Sequence, residues 1–429
     1  MNNCESFMSD NSFDVAIVGG GPAGTSAAKK TAEAGLKTIV FEEHETLGVP
    51  VQCGEGVSRK LLDIHKIDHK GGKADWIKIH LPEQRFFFPG TERLYGKKEF
   101  GAYKMLSGYD TFLVDRTKFD QMLAQEAQNQ GAEIRTGSKV TNVTIDKDQG
   151  AELTIKNIKG ENYTVKAKMV IGADGPASRM AKHVGLNIFD KFKGLKYVHA
   201  VEWKVEGQLS ESLDFYFDHE LVPSGYTWIF PKKETSTVGL VCEQIQEPWP
   251  RLEKLMIIME KKLGYKFKKI KLVGGMIPAS PSQPVKTFNP RFLVSGDAAG
   301  FTNPVFYGGI SISILTGRLA GDTVVEVANK DPDQTFKEQD LQLFEKKWRN
   351  LPQFNPEIYE GRNLFYNNFT NQELEVMGKF SNNRHVTKMG WLTQKYLAMR
   401  AGLVKDIRKR RKDYELVVNS FSQSGDWGF

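Results

Sequence analysis

Residues 14–24 read DVAIVGGGPAG, a short apolar run that ends in glycines and passes at once into Pro22. From Pro22 to Glu33 small residues recur at helical spacing, so the segment reads as strand, turn and helix. Gly19, Gly21 and Gly24 form a GxGxxG pattern at the turn. The first glycine permits the tight turn, the second lets the backbone approach a pyrophosphate, and the third lets helix pack closely on sheet. Free amides at the helix start would hold the phosphates. Lys37 to Phe41 is the next strand, and Glu42 ends it about 20 residues past the glycines, where an acid accepts hydrogen bonds from ribose hydroxyls. A solvated Glu is the alternative there. The spacing predicts the start of a doubly wound α/β sheet with parallel strands.

Two further turns follow the same logic. Val170 to Arg179 reads VIGADGPASR, and Phe292 to Gly300 reads FLVSGDAAG. In each, a strand meets an Asp and small residues at a helix start. Asp174 and Asp297 suit a ribityl or ribose hydroxyl, while Gly296 and its neighbours let a flat ring or phosphate come close. Each alone fits an ordinary turn; three in one chain point to one nucleotide held by one fold.

Between these turns, Phe119 to Asn129 has helical periodicity, and runs of Val, Thr and Ile broken by DKDQG and IKG read as hairpins ending at Met169 to Ile171. Tyr197 to Cys242 alternates in strand fashion, with aromatics at Trp203, Phe215, Phe217, Tyr226, Trp228 and Phe230. This predicts a second sheet that forms a substrate layer, covered by a helix near Trp249 to Leu263. A strand at Arg291 to Ser295 and a helix at Gly309 to Ala328 return the chain to the first domain. The expected divisions are a flexible lead (1–12), a discontinuous nucleotide domain (13–190 and 291–330), a β-rich substrate domain (191–290) and a C-terminal helical cap (331–429).

Composition sets the class. The chain has 429 residues, 40% hydrophobic and 26% charged, as in ordinary globular proteins. Cys4, Cys53 and Cys242 are too few for a disulfide framework, which predicts a reducing, cytoplasmic setting. The opening MNNCESFMSDNS has the pattern of neither a signal peptide nor an anchor, and no run approaches the roughly 20 apolar residues of a membrane span. Much of the net charge of +7 lies late, where Lys405 to Lys412 reads KDIRKRRK. Such a run suits a solvated helix face or, at the cytoplasmic membrane face, an anionic lipid surface. No nucleic-acid partner and no metal site are expected.

The glycine fingerprint, the Asp-Gly turn and the Gly-Asp turn resemble those of the flavoprotein hydroxylase superfamily over roughly residues 13 to 330. The resemblance implies one FAD extended across the first domain. Arg116, in DRTKFDQML, matches the Arg that this superfamily places near the flavin; on the residues alone it is also a surface Arg beside Asp115 and Asp120. VQCGEGVS, with Cys53, Gly54 and Gly56, and PSGYTWIFPK, with Tyr226, Trp228 and Phe230, resemble the geranylgeranyl reductase family. The WxWxIP strand of flavin halogenases is absent. The expected fold is therefore a Rossmann-like FAD domain, a β-rich substrate domain and C-terminal helices. Its cofactor side comprises Gly19, Gly21, Ala23, Gly24, Glu42, Cys53, Gly54, Gly56, Arg116, Val140, Asp174, Gly296, Asp297, Gly309 and Ile310.

Tyr226, Trp228 and Phe230 are spaced by two, so in a strand they share one face. That wall suits a long hydrocarbon chain, though it also suits plain core. Cys53 has turn chemistry around it, and it is read as proton donor or as the group that orders a donating water; an inert thiol is the alternative. The activity implied is reduction of C=C bonds in geranylgeranyl chains of archaeal-type ether phospholipids by flavin hydride plus a proton. Prenyl quinones or prenyl diphosphates are alternative substrates, and aromatic monooxygenation is an alternative reaction. The electron donor is either reduced ferredoxin or transient NAD(P)H. Trp391, Leu392, Tyr396 and Leu397 ahead of the basic run would give the tail its membrane face.

Overall fold

The computed structural model describes residues 11–51, 53–70, 74–90, 98–186, 188, 197–243, 246–279, 285–331, 333–383 and 410–425. The strand Ser12–Val18 lies at the centre of the first sheet, between Asn162–Gly172 and Thr38–Phe41, with both pairings parallel. Its residues from Val15 to Val18 are all buried, as a strand covered on both faces requires. Register decides where the motifs meet. Val18 pairs with both Gly172 and Phe41, and Gly172 with Val294, so all four strands end along one edge of the sheet. Ligands of open α/β sheets bind outside such carboxyl ends.

The sheet is mixed rather than wholly parallel, because Ser138–Asp146, Gly150–Asn157 and Asn162–Gly172 form an antiparallel meander. The helices Pro22–Glu33 and Ile310–Lys330 cross on one face. They approach so closely that a β-carbon at Gly317 would lie 2.2 Å from the Ala23 carbonyl oxygen.

A second sheet of seven strands runs in the order Lys269–Pro278, Tyr197–Glu206, Thr235–Glu243, Tyr226–Pro231, Leu213–Tyr216, Gln84–Gly90 and Glu99–Ser107. Its last two strands come from within the nucleotide half of the sequence, and Gln84–Gly90 pairs parallel with Leu213–Tyr216. One face carries Tyr216, Ile229, Val238, Leu240 and Cys242 against Leu252, Leu255, Met256 and Met259 of the helix Pro248–Leu263. Those four residues sit at i, i+3, i+4 and i+7, the stripe of a helix lying on a sheet. Trp203 belongs to this side, where its Nε1 donates to Glu253 at 2.6 Å. The other face carries Phe86, Phe215, Phe217, Tyr226, Trp228 and Phe230.

Helical segments close the aromatic face. Phe365 and Phe421 reach Phe217 with ring centroids 5.1 and 5.8 Å away. The helix Asn371–Ser381 starts at a reciprocal cap of Thr370 with Glu373. Arg410 pairs with Glu373 and Asp413, and Arg411 with Glu415, so these two cations of the basic run face protein carboxylates. Trp391, Leu392, Tyr396, Leu397 and residues 405–409 lie outside the described residues. Among the described residues no helix is long and apolar enough to cross a membrane.

Candidate active site

The glycine turn is built by contact. Gly19 has φ +105°, and a β-carbon on it would lie 2.1 Å from the Ala173 carbonyl oxygen; one on Gly24 would lie 1.9 Å from the Gly19 carbonyl oxygen. Gly21 faces open space, with nothing within 4 Å of its β-carbon position. The helix that follows has no side-chain cap, which leaves its first amides for an anion. Glu42 ties the turn to the second strand, accepting from the Gly20 amide at 2.8 Å and the His44 amide at 2.9 Å.

At the second turn, Asp174 accepts from Ser178 Oγ at 2.6 Å and from the Arg179 amide at 2.8 Å. Its carboxylate therefore organises the start of the helix Arg179–His183 while still bordering the groove. At the third turn, Asp297 is the reverse case: its Oδ1 is buried with no hydrogen-bond partner. Burial pushes its pKa up to about 6, against the pull of the Arg116 charge and Ser313. A β-carbon on Gly309 would lie 2.8 Å from that oxygen, so the acid faces the start of the helix Ile310–Lys330.

Arg116 begins the helix Arg116–Asn129, and its guanidinium holds Asp120 by two bonds, Nε to Oδ1 at 3.0 Å and Nη2 to Oδ2 at 2.9 Å. The Cys53 thiol lies against that guanidinium and accepts from the Glu55 amide at 3.2 Å. Burial pushes the thiol pKa up, with Arg116 opposing. Glu55 takes a positive φ of 71° and makes a buried ion pair with Lys232, the residue after the aromatic strand Tyr226–Pro231.

That strand supplies the far wall. Tyr226, Trp228 and Phe230 point to one side; Tyr226 Oη donates to the Phe306 carbonyl and Tyr366 Oη to the Val305 carbonyl at 2.8 Å. Gly239 lies opposite Trp228 on one neighbour and opposite Glu202 on the other. Glu202 thus enters the same face as the aromatics, 7% exposed, with Oε2 unpartnered. Burial pushes its pKa up to about 7; Thr237 and Trp228 pull it down without reaching full hydrogen-bond geometry. Sequence reading passed over Glu202, because along VEWKV the apolar residues Val201, Trp203 and Val205 occupy the other phase of the strand.

One cavity of about 600 Å³ joins these parts, and its lining holds nearly every residue singled out above, including Ala23, Gly54, Gly56, Val140 and Ile310. Gly24 and Gly296 stand behind the wall instead, the first packed on Gly19 and the second on Ala23 and Ser313. The open Gly21, the uncapped helix start and the orphaned Asp297 oxygen fit an extended flavin dinucleotide. Glu202 and Lys232 were not anticipated, and Asp120 only as a neighbour of Arg116; Lys232 meets Glu55 across a separation no local pattern reveals.

Known proteins show the same combination. Residues 12–235 match the family model described as FAD binding domain, and residues 196–277 match the geranylgeranyl reductase catalytic domain. The digeranylgeranylglycerophospholipid reductase of Methanosarcina acetivorans is 32% identical over 344 residues, 79% of this chain and 80% of that protein. A second such reductase of Methanococcoides burtonii is 27% identical over 94% of this chain and 98% of its own length. The crystal structure of a geranylgeranyl bacteriochlorophyll reductase-like protein from Thermoplasma acidophilum superposes with a TM-score of 0.77 at 25% identity, covering 94% of this chain and 99% of that one. With an FAD site on one side of its cavity and an aromatic sheet on the other, this chain belongs to the geranylgeranyl reductase family of FAD-dependent oxidoreductases.

Proposed function

We propose that this enzyme reduces the C=C bonds of geranylgeranyl chains in archaeal-type ether phospholipids. The observation that carries the reading is the continuity of the flavin groove with the wall of Tyr226, Trp228 and Phe230 in one cavity. An apolar wall of that kind suits a long alkene, which has few polar atoms to recognise. An isolated trisubstituted alkene has no carbonyl to absorb a hydride, so its reduction needs an acid as well. Bound and reduced FAD supplies the hydride. The chain aligns the alkene, excludes water and offers aromatic faces to the positive charge that develops on protonation.

Cys53 stays protonated at neutral pH because burial raises its pKa, which also makes it a weaker acid than an ordinary thiol. Ordering a water beside Arg116 suits it better than direct donation. Full single-turnover reduction by both Cys53→Ala and Cys53→Ser would overturn a role in the chemistry.

The test is anaerobic reduction of digeranylgeranylglyceryl phospholipid with dithionite, read by mass spectrometry. Two hydrogens gained per double bond are expected; no mass change with any prenyl substrate sinks the reading. Preference for a prenyl quinone or prenyl diphosphate would move the assignment within the class, and oxygen-dependent gain of one oxygen atom would replace it by monooxygenation. For the donor, a net charge of +7 favours an acidic ferredoxin over transient NAD(P)H, with a rate that falls as salt rises. A salt-insensitive rate counts against it.

Contact with an anionic bilayer through the tail rests on its sequence. A Lys405→Gln, Arg408→Gln, Lys409→Gln variant tests it by vesicle flotation, and equal flotation with wild type rules it out. Deleting the tail is a poorer test, since Tyr414 and Phe421 are buried.

A further inference from the structure

We infer that Glu202 is the proton donor of alkene reduction, a carboxylic acid set in the aromatic wall opposite the flavin groove. The inference rests on the prenyl reductase reading. Its basis is placement. Glu202 sits in the strand Tyr197–Glu206 with its side chain on the cavity face, opposite Gly239, whose lack of a side chain lets the Trp228 ring lie over it beside Glu202. A β-carbon at Gly239 would lie 2.3 Å from the Trp228 ring and 2.7 Å from Glu202 Cβ, so the two side chains close over that one residue.

Among the described residues no cation is paired with Glu202. The described Arg and Lys side chains that line the cavity are Arg116, held by Asp120, Lys139, held by Glu43, and Arg179 in the Asp174 turn, while Lys232 outside the lining is paired with Glu55. Cys53, Asp297, Tyr226 and Tyr307 also line the cavity, and Glu42, Glu43, His44 and Asp174 line its cofactor side. A buried carboxyl without a counter-ion keeps its proton, and its pKa of about 7 leaves a large protonated fraction at neutral pH. It is a far stronger acid than the buried Cys53 thiol. The pattern is that of a general acid, a carboxyl whose surroundings hold its pKa near the working pH.

The step balances. The Glu202 O–H bond breaks as a C–H bond forms at the less substituted alkene carbon, and the electron pair of the double bond makes that bond. The tertiary cation left beside the Trp228 and Tyr226 faces takes a hydride whose electron pair comes from reduced FAD, which an external electron donor reduces again. The Glu202 carboxylate recovers a proton from solvent between turnovers.

Glu202→Gln keeps the shape and loses the acid. In holoenzyme it should retain FAD, judged by bound-flavin absorbance, while single-turnover reduction of prenyl lipid falls by about 10² to 10⁴, the range for a lost general acid. Wild-type rate should decline as pH rises through the neutral range, and Glu202→Asp should keep part of the rate. Independently of turnover, infrared difference spectra of the holoenzyme should show a protonated carboxyl band that is absent in Glu202→Gln, displaced in Glu202→Asp and lost on raising the pH. Product from wild type and Glu202→Gln at similar rates overturns this inference alone, as does the lack of that band at pH 6. No product from wild type overturns the prenyl reading and this inference with it.

Discussion

Gly54 and Phe230 meet so closely that a β-carbon on the glycine would lie 2.9 Å from the edge of the ring. This contact fastens the turn carrying Cys53 to the aromatic strand. Gly54→Ala must push one away from the other, and overpacking of this kind costs about 1–3 kcal/mol. Lower thermal stability and slower prenyl reduction are expected, with FAD content little changed; an unaltered melting temperature would show that the turn shifts freely.

Glu42 holds the glycine turn through Gly20 and has further lone pairs to offer a ribose. Hydrogen bonds to a charged group contribute about 1.5–3 kcal/mol, so Glu42→Ala should weaken FAD binding by about 10- to 100-fold. Recovery of flavin fluorescence on dilution measures it.

Asp120 is 3% exposed at its side chain and carries the buried charge of Arg116. Asp120→Ala leaves that guanidinium unpaired, which costs about 3–5 kcal/mol in such settings. It also removes a negative charge that raises the Cys53 pKa. Calorimetry should show a large loss of stability, and alkylation of Cys53 should begin at lower pH than in wild type.

His65 is buried, and its pKa is lowered to about 4, by burial first and then by the Arg318 and Lys29 charges. The folded state therefore binds fewer protons than the unfolded state between about pH 6.5 and 4. Stability from this group is whole above about pH 6.5 and is lost as pH falls through that window, by up to about 3 kcal/mol. A His65→Gln variant lacks this loss, so its stability relative to wild type should increase as pH falls from 7 to 4; a constant difference would place the imidazole in water.

The nucleotide turns were legible because each is a local pattern, a strand followed by glycines or an acid at fixed spacing, and because parallel pairing aligns Val18, Phe41 and Gly172 whatever lies between them. The aromatic wall was legible from spacing by two. Glu202 was harder, since its register beside Gly239 depends on pairing with a strand some 37 residues away in sequence, which local patterning does not fix. The Glu55 and Lys232 pair had no local signal at all. Residues 84–107 received no strand reading, because their parallel partner Leu213–Tyr216 is fixed only by the closed tertiary structure.

That parallel pairing makes the substrate half inseparable from the cofactor half. A hairpin from the first half of the chain completes a sheet made by the second, so neither half is a transplantable module. Exchanging specificity between relatives by recombination would succeed only if residues 84–107 travel with 197–278, and a crossover between them would leave Phe86 and Phe215 from different parents facing each other at 5.3 Å.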